Sequence, residues 1–298
     1  MERKTLDALK NEKDAVILAH YYVDDDVQAA ADHVGDSFTL AKLATTIDAK
    51  RIVMAGVSFM GETVKILNPD KQVYLPDPKA DCPMAHMVTI QQIKEMREKY
   101  EDLAVVCYVN STAEIKANSD YCCTSSNAAK IVGAIESKNI FFIPDGNLGR
   151  NVEKFFPEKH FINNQGCCPV HDGITPDLIK QLKKRYPDAA ILAHPECRPE
   201  VLDLVDYKGS TKGMIEAVKD LNKDLNIIIT EEGLRYELDK TYPDKTFIFP
   251  EMICEGMKRV TLDKIIDVLE SGKNEVHVDP ALAERAKLPL DRMLDICS

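Results

Sequence analysis

Residues 68–84 read NPDKQVYLPDPKADCPM, and this pattern returns twice later in the chain. The later copies are FPEKHFINNQGCCPV at 156–170 and YPDKTFIFPEMICEG at 242–256. In each copy a Pro-acid-Lys triplet leads into a short apolar strand and then to a cysteine. These cysteines lie 86 residues apart: Cys82, Cys168 and Cys254. A period this long, with the triplet, the strand and the cysteine in the same order each time, predicts three copies of one structural unit.

Other features keep the same period. Seven residues after each cysteine stands a threonine, a favourable N-cap, which heads a pattern with helical periodicity: Thr89, Thr175 and Thr261. Thr5 precedes an equivalent helical pattern, TLDALKNEK, at the beginning of the first unit. The strand AVILAH from Ala15 returns as AVVCYV from Ala104 and as AAILAH from Ala189. A second apolar strand returns as RIVMAG, NIFFIP and NIIITE.

Each copy reads helix–strand–helix–strand–helix–strand, which predicts an α/β fold with parallel sheets, helices on both faces and right-handed crossovers. We expect three homologous αβα domains in a pseudo-threefold arrangement around one central cluster site. The first domain is predicted over 1–84 together with the C-terminal residues 262–298, the second over 85–170 and the third over 171–261. The tail contains one more strand candidate, NEVHVD.

Bulk composition limits the partners and the compartment. The 298 residues include 49 acidic and 38 basic ones, for a formal charge of −11, which argues against a nucleic-acid or anionic-membrane surface. The N-terminal MERKTLDALKNEKD has no apolar signal core, so we expect a cytoplasmic protein without a membrane partner. Nine cysteines, with two adjacent pairs, favour metal binding or catalysis over disulfides in that compartment.

The polar residues of the repeat fall where a ligand should bind. Ligands of parallel sheets lie at the carboxyl ends of the strands, and these ends carry His20, Tyr22, Tyr108, Asn110, His194 and Glu196 beside the three cysteines. None of the three cysteines has a CxxC partner, unlike the ligands of typical zinc motifs. Three lone thiolates fit a [4Fe–4S] cluster with one iron left without a protein ligand. Because such an iron is a Lewis acid, the pattern favours dehydration over electron transfer.

The remaining candidates divide by their surroundings. We interpret Cys107 and Cys297 as buried apolar residues, Cys122, Cys123 and Cys167 as bystanders, and Cys197 as lying behind the site. His171 joins His20 and His194 as a donor to an anionic substrate. Four hydroxyl residues precede or open predicted helices and could seat carboxylate or phosphate: Ser37, Ser125, Ser210 and Thr211.

Taken together, several segments resemble quinolinate synthase, the NadA family. They are ILAHYY, GDS, FMGETVKILNPDK, CPMA, YVNSTAE, CTSSNA, CPVH, HPEC, GST and MICEGMK, and the resemblance runs essentially from end to end. It implies an enzyme of pyridine nucleotide (NAD) biosynthesis that condenses iminoaspartate with dihydroxyacetone phosphate to quinolinate, with loss of phosphate and two waters. It also implies a [4Fe–4S] cluster and a functional partner that oxidises aspartate.

The resemblance assigns roles by position. Cys82, Cys168 and Cys254 match the cluster ligands. The substrate-binding positions match His20, Ser37, Tyr108, Asn110, Ser125, His171, His194, Glu196, Ser210 and Thr211. We take Tyr22, Glu196, His194 and Tyr108 as the catalytic candidates, with Glu196 and Tyr22 moving protons. Two alternatives remain: another iron–sulfur hydro-lyase, and a redox sensor or electron carrier whose cluster has a fourth protein ligand.

Overall fold

The computed structural model describes residues 5–298; the first four residues of the charged N-terminal segment, where the domain predicted over 1–84 starts, lie outside the described residues. Over residues 5–298, twelve parallel strands form three sheets of four. Each sheet has the same strand order: second, first, third and fourth along the chain. The α/β prediction and the three αβα units are therefore confirmed.

The order of helices and strands repeats from unit to unit. The first unit contains α1 (Leu6–Lys13), β1 (Ala15–His20), α2 (Asp25–Ala30), β2 (His33–Gly35), α3 (Ser37–Ala44), β3 (Arg51–Ala55), α4 (Ser58–Leu67), β4 (Gln72–Tyr74) and a 3-10 turn (Pro83–His86). The second contains α5 (Ile90–Lys99), β5 (Leu103–Tyr108), α6 (Ala113–Lys116), β6 (Tyr121–Cys123), α7 (Ala128–Gly133), β7 (Asn139–Ile143), α8 (Gly146–Glu153), β8 (His160–Asn163) and α9 (Pro169–Asp172).

The third unit contains α10 (Pro176–Arg185), β9 (Ala190–Ala193), α11 (Pro199–Leu202), β10 (Tyr207–Lys208), α12 (Thr211–Leu221), β11 (Leu225–Ile229), α13 (Leu234–Thr241), β12 (Thr246–Ile248) and α14 (Glu255–Lys258). The C-terminal tail forms α15 (Leu262–Ser271) and α16 (Pro280–Ile296). Each unit has a short edge strand, β2, β6 or β10, that the predicted three-strand pattern lacks. At two or three residues, these strands are too short to carry an alternation of apolar and polar residues.

The pairing registers align the units residue by residue. Equivalent pairs join the first and third strands of each unit: Ala19 with Ala55, Cys107 with Ile143, and Ala193 with Ile229. The second copy of AVILAH is therefore LAVVCY, one residue earlier than the predicted AVVCYV. Strands that are covered on both faces read as continuous apolar runs, so their sequence does not define the register to one residue.

An aspartate completes the hydrogen bonding of the first strand in each sheet, where the short edge strand does not reach. Asp206 Oδ2 accepts from Ile191 N at 2.8 Å, and Asp206 N donates to Ile191 O at 2.9 Å. The same reciprocal pair joins Asp32 to Ile17 and Asp120 to Val105. These carboxylates satisfy buried backbone N–H groups that would otherwise lack an acceptor.

The tail links the first two units. Helix α15 packs against α1, α2 and β3, whereas α16 packs against α4 of the first unit and against α6, β6 and α7 of the second. The strand predicted at NEVHVD is wrong: Glu275 forms a single antiparallel bridge with Tyr74, at the edge of the first sheet. The predicted domain boundaries remain predictions.

The core follows the same division. One apolar cluster runs through the first two units and the tail, and the third unit has two clusters of its own, one on each side of its sheet. In the part of the chain from residue 5 onward, no helix combines the length and the apolar character that spanning a membrane requires.

The aspartate contact can be tested in the third unit. Asp206→Ala removes the acceptor of the Ile191 N–H and should lower the free energy of unfolding by about 1–3 kcal/mol. Asp206→Asn keeps an oxygen acceptor, so its free energy of unfolding should fall by less than half as much as that of the alanine variant. Urea unfolding followed by circular dichroism measures both changes. Wild-type stability of the alanine variant would contradict this account of the edge strand.

Candidate active site

The carboxyl ends of strands from all three sheets line one cavity of about 670 Å³, a volume that includes its open mouth. We refer to it as the central cavity. Thirteen predicted site residues line it: His20, Tyr22, Ser37, Cys82, Tyr108, Asn110, Ser125, Cys168, His171, His194, Glu196, Thr211 and Cys254. Ser210 does not line it, because its hydroxyl is the N-cap of α12 and accepts from Gly213 N at 3.2 Å.

The sheet registers show which of these residues are equivalent. His20, Tyr108 and His194 occupy one position at the ends of the first strands. Ser37, Ser125 and Thr211 occupy another. Each lies three residues beyond the edge-strand residue that pairs with Ala19, Cys107 or Ala193. Thr211 is therefore the residue equivalent to Ser37 and Ser125, and Ser210 precedes that position by one residue.

The three repeated cysteines each stand directly before a helical turn: the 3-10 turn Pro83–His86, α9 and α14. Backbone N–H groups of that turn lower the pKa of each thiol: Met84 and Ala85 at Cys82, His171 at Cys168, and Gly256 and Met257 at Cys254. Donors of this kind stabilise negative charge on sulfur. The three sites are therefore built to hold thiolates.

The protonation of these thiols depends on what binds them. Burial raises the pKa of all three, with the Cys82 thiol at about 12, and the Glu196 carboxylate adds to the effect. Bound metal replaces such protons and leaves thiolates. Among the residues described, none of the other six cysteines lines the central cavity. The donor set therefore fits an iron–sulfur cluster with three protein ligands.

The other cysteines lie elsewhere in the fold. Cys107, Cys122 and Cys123 are buried in the second sheet, and Cys197 is buried in an apolar cluster of the third unit. Cys167 is half-buried, and its backbone N–H faces Met87 Sδ at 3.5 Å. Of the adjacent cysteines in CCPV, only Cys168 reaches the central cavity.

A mixed group of ligands surrounds Cys168. Its Sγ lies 3.2 Å from His171 Nδ1, which in turn lies 2.8 Å from Glu196 Oε2. The three ligand atoms lie within 4.8 Å of one another and could hold a single metal ion. Because that group shares Cys168 with the three-cysteine set, a single-ion site and a three-thiolate cluster compete for the same sulfur.

A chain of hydrogen bonds leads from Glu196 to Tyr22. A carboxylate only accepts, so His171 Nδ1 donates to Glu196; in the neutral imidazole Nε2 then accepts from Thr230 Oγ1 at 2.9 Å. Thr230 Oγ1 in turn accepts from the Tyr22 hydroxyl at 2.6 Å. Thr211 Oγ1 lies 3.2 Å from the same hydroxyl. The chain therefore connects a buried carboxylate to a phenol in the cavity wall.

Two histidines at equivalent positions have the same tautomer. Backbone N–H groups donate to Nδ1 of both rings, from Tyr22 to His20 at 3.2 Å and from Glu196 to His194 at 3.4 Å. Burial lowers the pKa of His20 to about 4 and that of His194 to about 3. Both rings are therefore neutral at pH 7 and carry their proton on Nε2. His194 Nε2 donates to Ser125 Oγ at 3.1 Å.

The acids of the cavity keep opposite protonation states. Burial alone would raise the pKa of Glu196, but the imidazoles of His194 and His171 and the hydroxyl of Tyr108 hold that pKa below its usual range. Burial and the nearby Glu196 carboxylate raise the pKa of Tyr22 and Tyr108. At neutral pH Glu196 is thus a carboxylate, whereas Tyr22 and Tyr108 are protonated phenols.

Sequence reasoning missed Thr230, Glu231 and Lys258. Thr230 and Glu231 directly follow β11, so the strand-end rule could have found them in NIIITE. Glu231 lines the cavity, and its carboxylate lies 3.1 Å from Lys258 Nζ. Lys258 Nζ also donates to Tyr22 O at 3.3 Å, so it connects the first strand end to the loop of Cys254. Nothing in the local sequence around Lys258, MICEGMK, indicates that its side chain contacts the first unit.

The neutral histidines predict how stability depends on pH. Their pKa values lie below the value of about 6.5 in the unfolded chain, so the unfolded state binds more protons and stability falls as the pH drops below about 6.5. Between pH 7 and pH 5 each histidine should contribute about 2 kcal/mol to that loss. His194→Gln should reduce the loss by this amount in urea unfolding at the two pH values. An unchanged pH slope would contradict the neutral, buried state of His194.

Comparison with known proteins agrees with this geometry. The family model described as quinolinate synthetase A protein matches residues 4–295. A protein of Fusobacterium nucleatum named quinolinate synthase is 54% identical over 290 residues, covering 97% of each chain. A quinolinate synthase of Aquifex aeolicus is 45% identical over 301 residues, covering 99% of this chain and 94% of the relative. The chain therefore belongs to the quinolinate synthetase A (NadA) family.

Proposed function

We propose that this protein is a quinolinate synthase. It would condense iminoaspartate with dihydroxyacetone phosphate, with loss of phosphate and two waters. An aspartate-oxidising enzyme would supply the iminoaspartate. The observation that carries this proposal is the meeting of three thiols and several neutral hydrogen-bond donors in one central cavity. The names of the relatives support the same reaction.

Cys82, Cys168 and Cys254 would hold a [4Fe–4S] cluster. When bound, such a cluster supplies a Lewis-acidic iron without a protein ligand. The backbone donors at each sulfur support this role, because they favour the thiolate that a metal requires. The mixed Cys168, His171 and Glu196 group is the weaker choice, since it leaves two of the three repeated thiols without a function.

The anionic groups of the substrates need donors that do not titrate near neutral pH. His20 and His194 would donate from Nε2 as neutral rings. Ser37, Ser125 and Thr211 would donate hydroxyl protons, each near the start of a helix where backbone N–H groups favour anions. These donors come from all three units, so a substrate that contacts all of them bridges the units.

Asn110 adds a complementary acceptor. Its Oδ1 is buried and has no hydrogen-bond partner among the described residues. Since a buried acceptor without a donor costs free energy, a bound substrate is expected to supply one. The imine or hydroxyl groups of the proposed substrates are donors of this kind.

Proton transfer would follow the hydrogen-bond chain. As it is oriented, Tyr22 can take a proton from the substrate while its own proton moves to Thr230, and the threonine proton moves to His171 Nε2. The low pKa of Glu196 makes it a weak proton acceptor, so its role in this chain is to orient His171 and stabilise the imidazolium that forms. Tyr108, whose hydroxyl lowers the pKa of Glu196, would help to hold that carboxylate in place.

The cysteines provide the primary test. After anaerobic purification, Cys82→Ser, Cys168→Ser and Cys254→Ser should each lose iron and sulfide and form no quinolinate from dihydroxyacetone phosphate, aspartate and an aspartate-oxidising enzyme. Cys167→Ser is the matched control, because it lies beside a ligand but outside the central cavity, and it should keep both. Full activity in a variant without a cluster would overturn the Lewis-acid role. A cluster-loaded wild-type protein that forms no quinolinate would favour another hydro-lyase or a redox role.

Thr230 tests the proton path. Thr230→Val removes the hydroxyl that joins Tyr22 to His171 and should lower kcat by about 10²–10⁴-fold, with little change in KM. Thr230→Ser keeps the hydroxyl and should retain most of the activity. Iron content, measured in parallel, should be unchanged in both variants. Equal kcat values for the valine and serine variants would remove Thr230 from the path.

A further inference from the structure

A second groove adjoins the central cavity. It encloses about 1570 Å³ including open solvent, and Asp36, Phe38 and Ser125 line both spaces. These three residues lie between the two spaces, so the groove and the central cavity adjoin at Ser125. We refer to this groove, which Lys42, Lys130 and Lys212 also line, as the entrance groove.

We propose that these three lysines attract the phosphate-bearing substrate and bind it before it enters the central cavity. The proposal rests on the proposed function and adds a recruiting site to it. One lysine comes from each unit: Lys42 from α3, Lys130 from α7 and Lys212 from α12. All three side chains are exposed. The ligand class is a small phosphate monoester dianion.

The charges of the groove favour an anion, although the whole chain carries −11. Within residues 5–298 the lysines form one ion pair, a long contact of 3.9 Å between Lys212 Nζ and Glu216 Oε1. The other acidic residue of the groove is Asp36, whose carboxylate already accepts from Thr39 N at 2.8 Å as the N-cap of α3. The ammonium groups of Lys42 and Lys130 therefore remain available to a ligand.

Two further contacts show that donors converge in this groove. Burial raises the pKa of Cys297, while Lys130 and Lys42 both oppose that shift, so the two lysines lie near the same thiol. Asn127 also lines the groove and is 6% exposed. Among residues 5–298 its Nδ2 has no oxygen or nitrogen acceptor, and the weak acceptor sulfur of Cys297 is its neighbour. An incoming phosphate oxygen would satisfy this buried donor.

Binding at the entrance acts before chemistry. Attraction between the lysines and a dianion raises the encounter rate and the affinity of the substrate, but it is equal for the ground state and the transition state. Removing it should therefore raise KM and leave kcat unchanged. Salt screens exposed charges over a Debye length of about 8 Å at physiological ionic strength, so the effect should fade as salt is added.

The double variant Lys42→Gln/Lys130→Gln tests the proposal in the cluster-loaded enzyme. At low salt its kcat/KM for dihydroxyacetone phosphate should fall by about 5–20-fold, with kcat within about two-fold of wild type. The salt dependence of kcat/KM should flatten, and inhibition by inorganic phosphate should weaken. Lys42→Arg/Lys130→Arg keeps both charges and should behave as wild type. Lys94→Gln/Lys184→Gln is the matched control, because it removes the same charge from two exposed lysines that do not line the groove.

The possible results separate the two proposals. If the glutamine variant keeps the wild-type kcat/KM and salt slope, or if the control pair loses as much, the recruiting site is overturned. If the wild type forms no quinolinate, the proposed function fails, and titration calorimetry with inorganic phosphate then decides the recruiting site. Weaker, less salt-dependent phosphate binding in the glutamine variant alone supports it, and equal binding in both variants overturns it.

Discussion

The architecture depends on one constraint of parallel sheets. Helices cover both faces of such a sheet, so a ligand site forms at the strand ends, and in parallel sheets ligands lie at the carboxyl ends. One four-stranded unit offers few such positions. Three units that direct their strand ends into one cavity bring together three thiols, three imidazoles and the Glu196 carboxylate. Triplication of the unit is therefore what makes the site possible.

The same enclosure determines the electrostatics of the site. Burial keeps His20 and His194 neutral and the phenols of Tyr22 and Tyr108 protonated, while the imidazoles near Glu196 keep it ionised. Donors that carry no charge can bind anionic groups without competing ion pairs inside the cavity. The positive charges lie outside it, on Lys42, Lys130 and Lys212 at the entrance groove. In this proposal the charged lysines attract the substrate at the entrance groove, and neutral hydrogen-bond donors bind it in the central cavity.

Much of this arrangement could be predicted from sequence because the repeat compares the chain with itself. The period selected Cys168 over its neighbour Cys167, and the strand-end rule selected His194 and Glu196. One error arose because fully buried strands read as unbroken apolar runs. The second copy of the first strand was therefore predicted one residue late. Edge strands of two or three residues were missed because they are too short to show a pattern.

By itself the sequence determined the α/β class, the three units and the cysteines that lead into the central cavity, because these follow from periodicity and from local signals such as N-caps. Tertiary structure alone decided which side chains from different units touch. Thr230 joins His171 to Tyr22, Lys258 joins the loop of Cys254 to the first strand end, and α16 bridges the first two units. Such contacts depend on distances and directions between units, and a linear pattern of residue types does not record either.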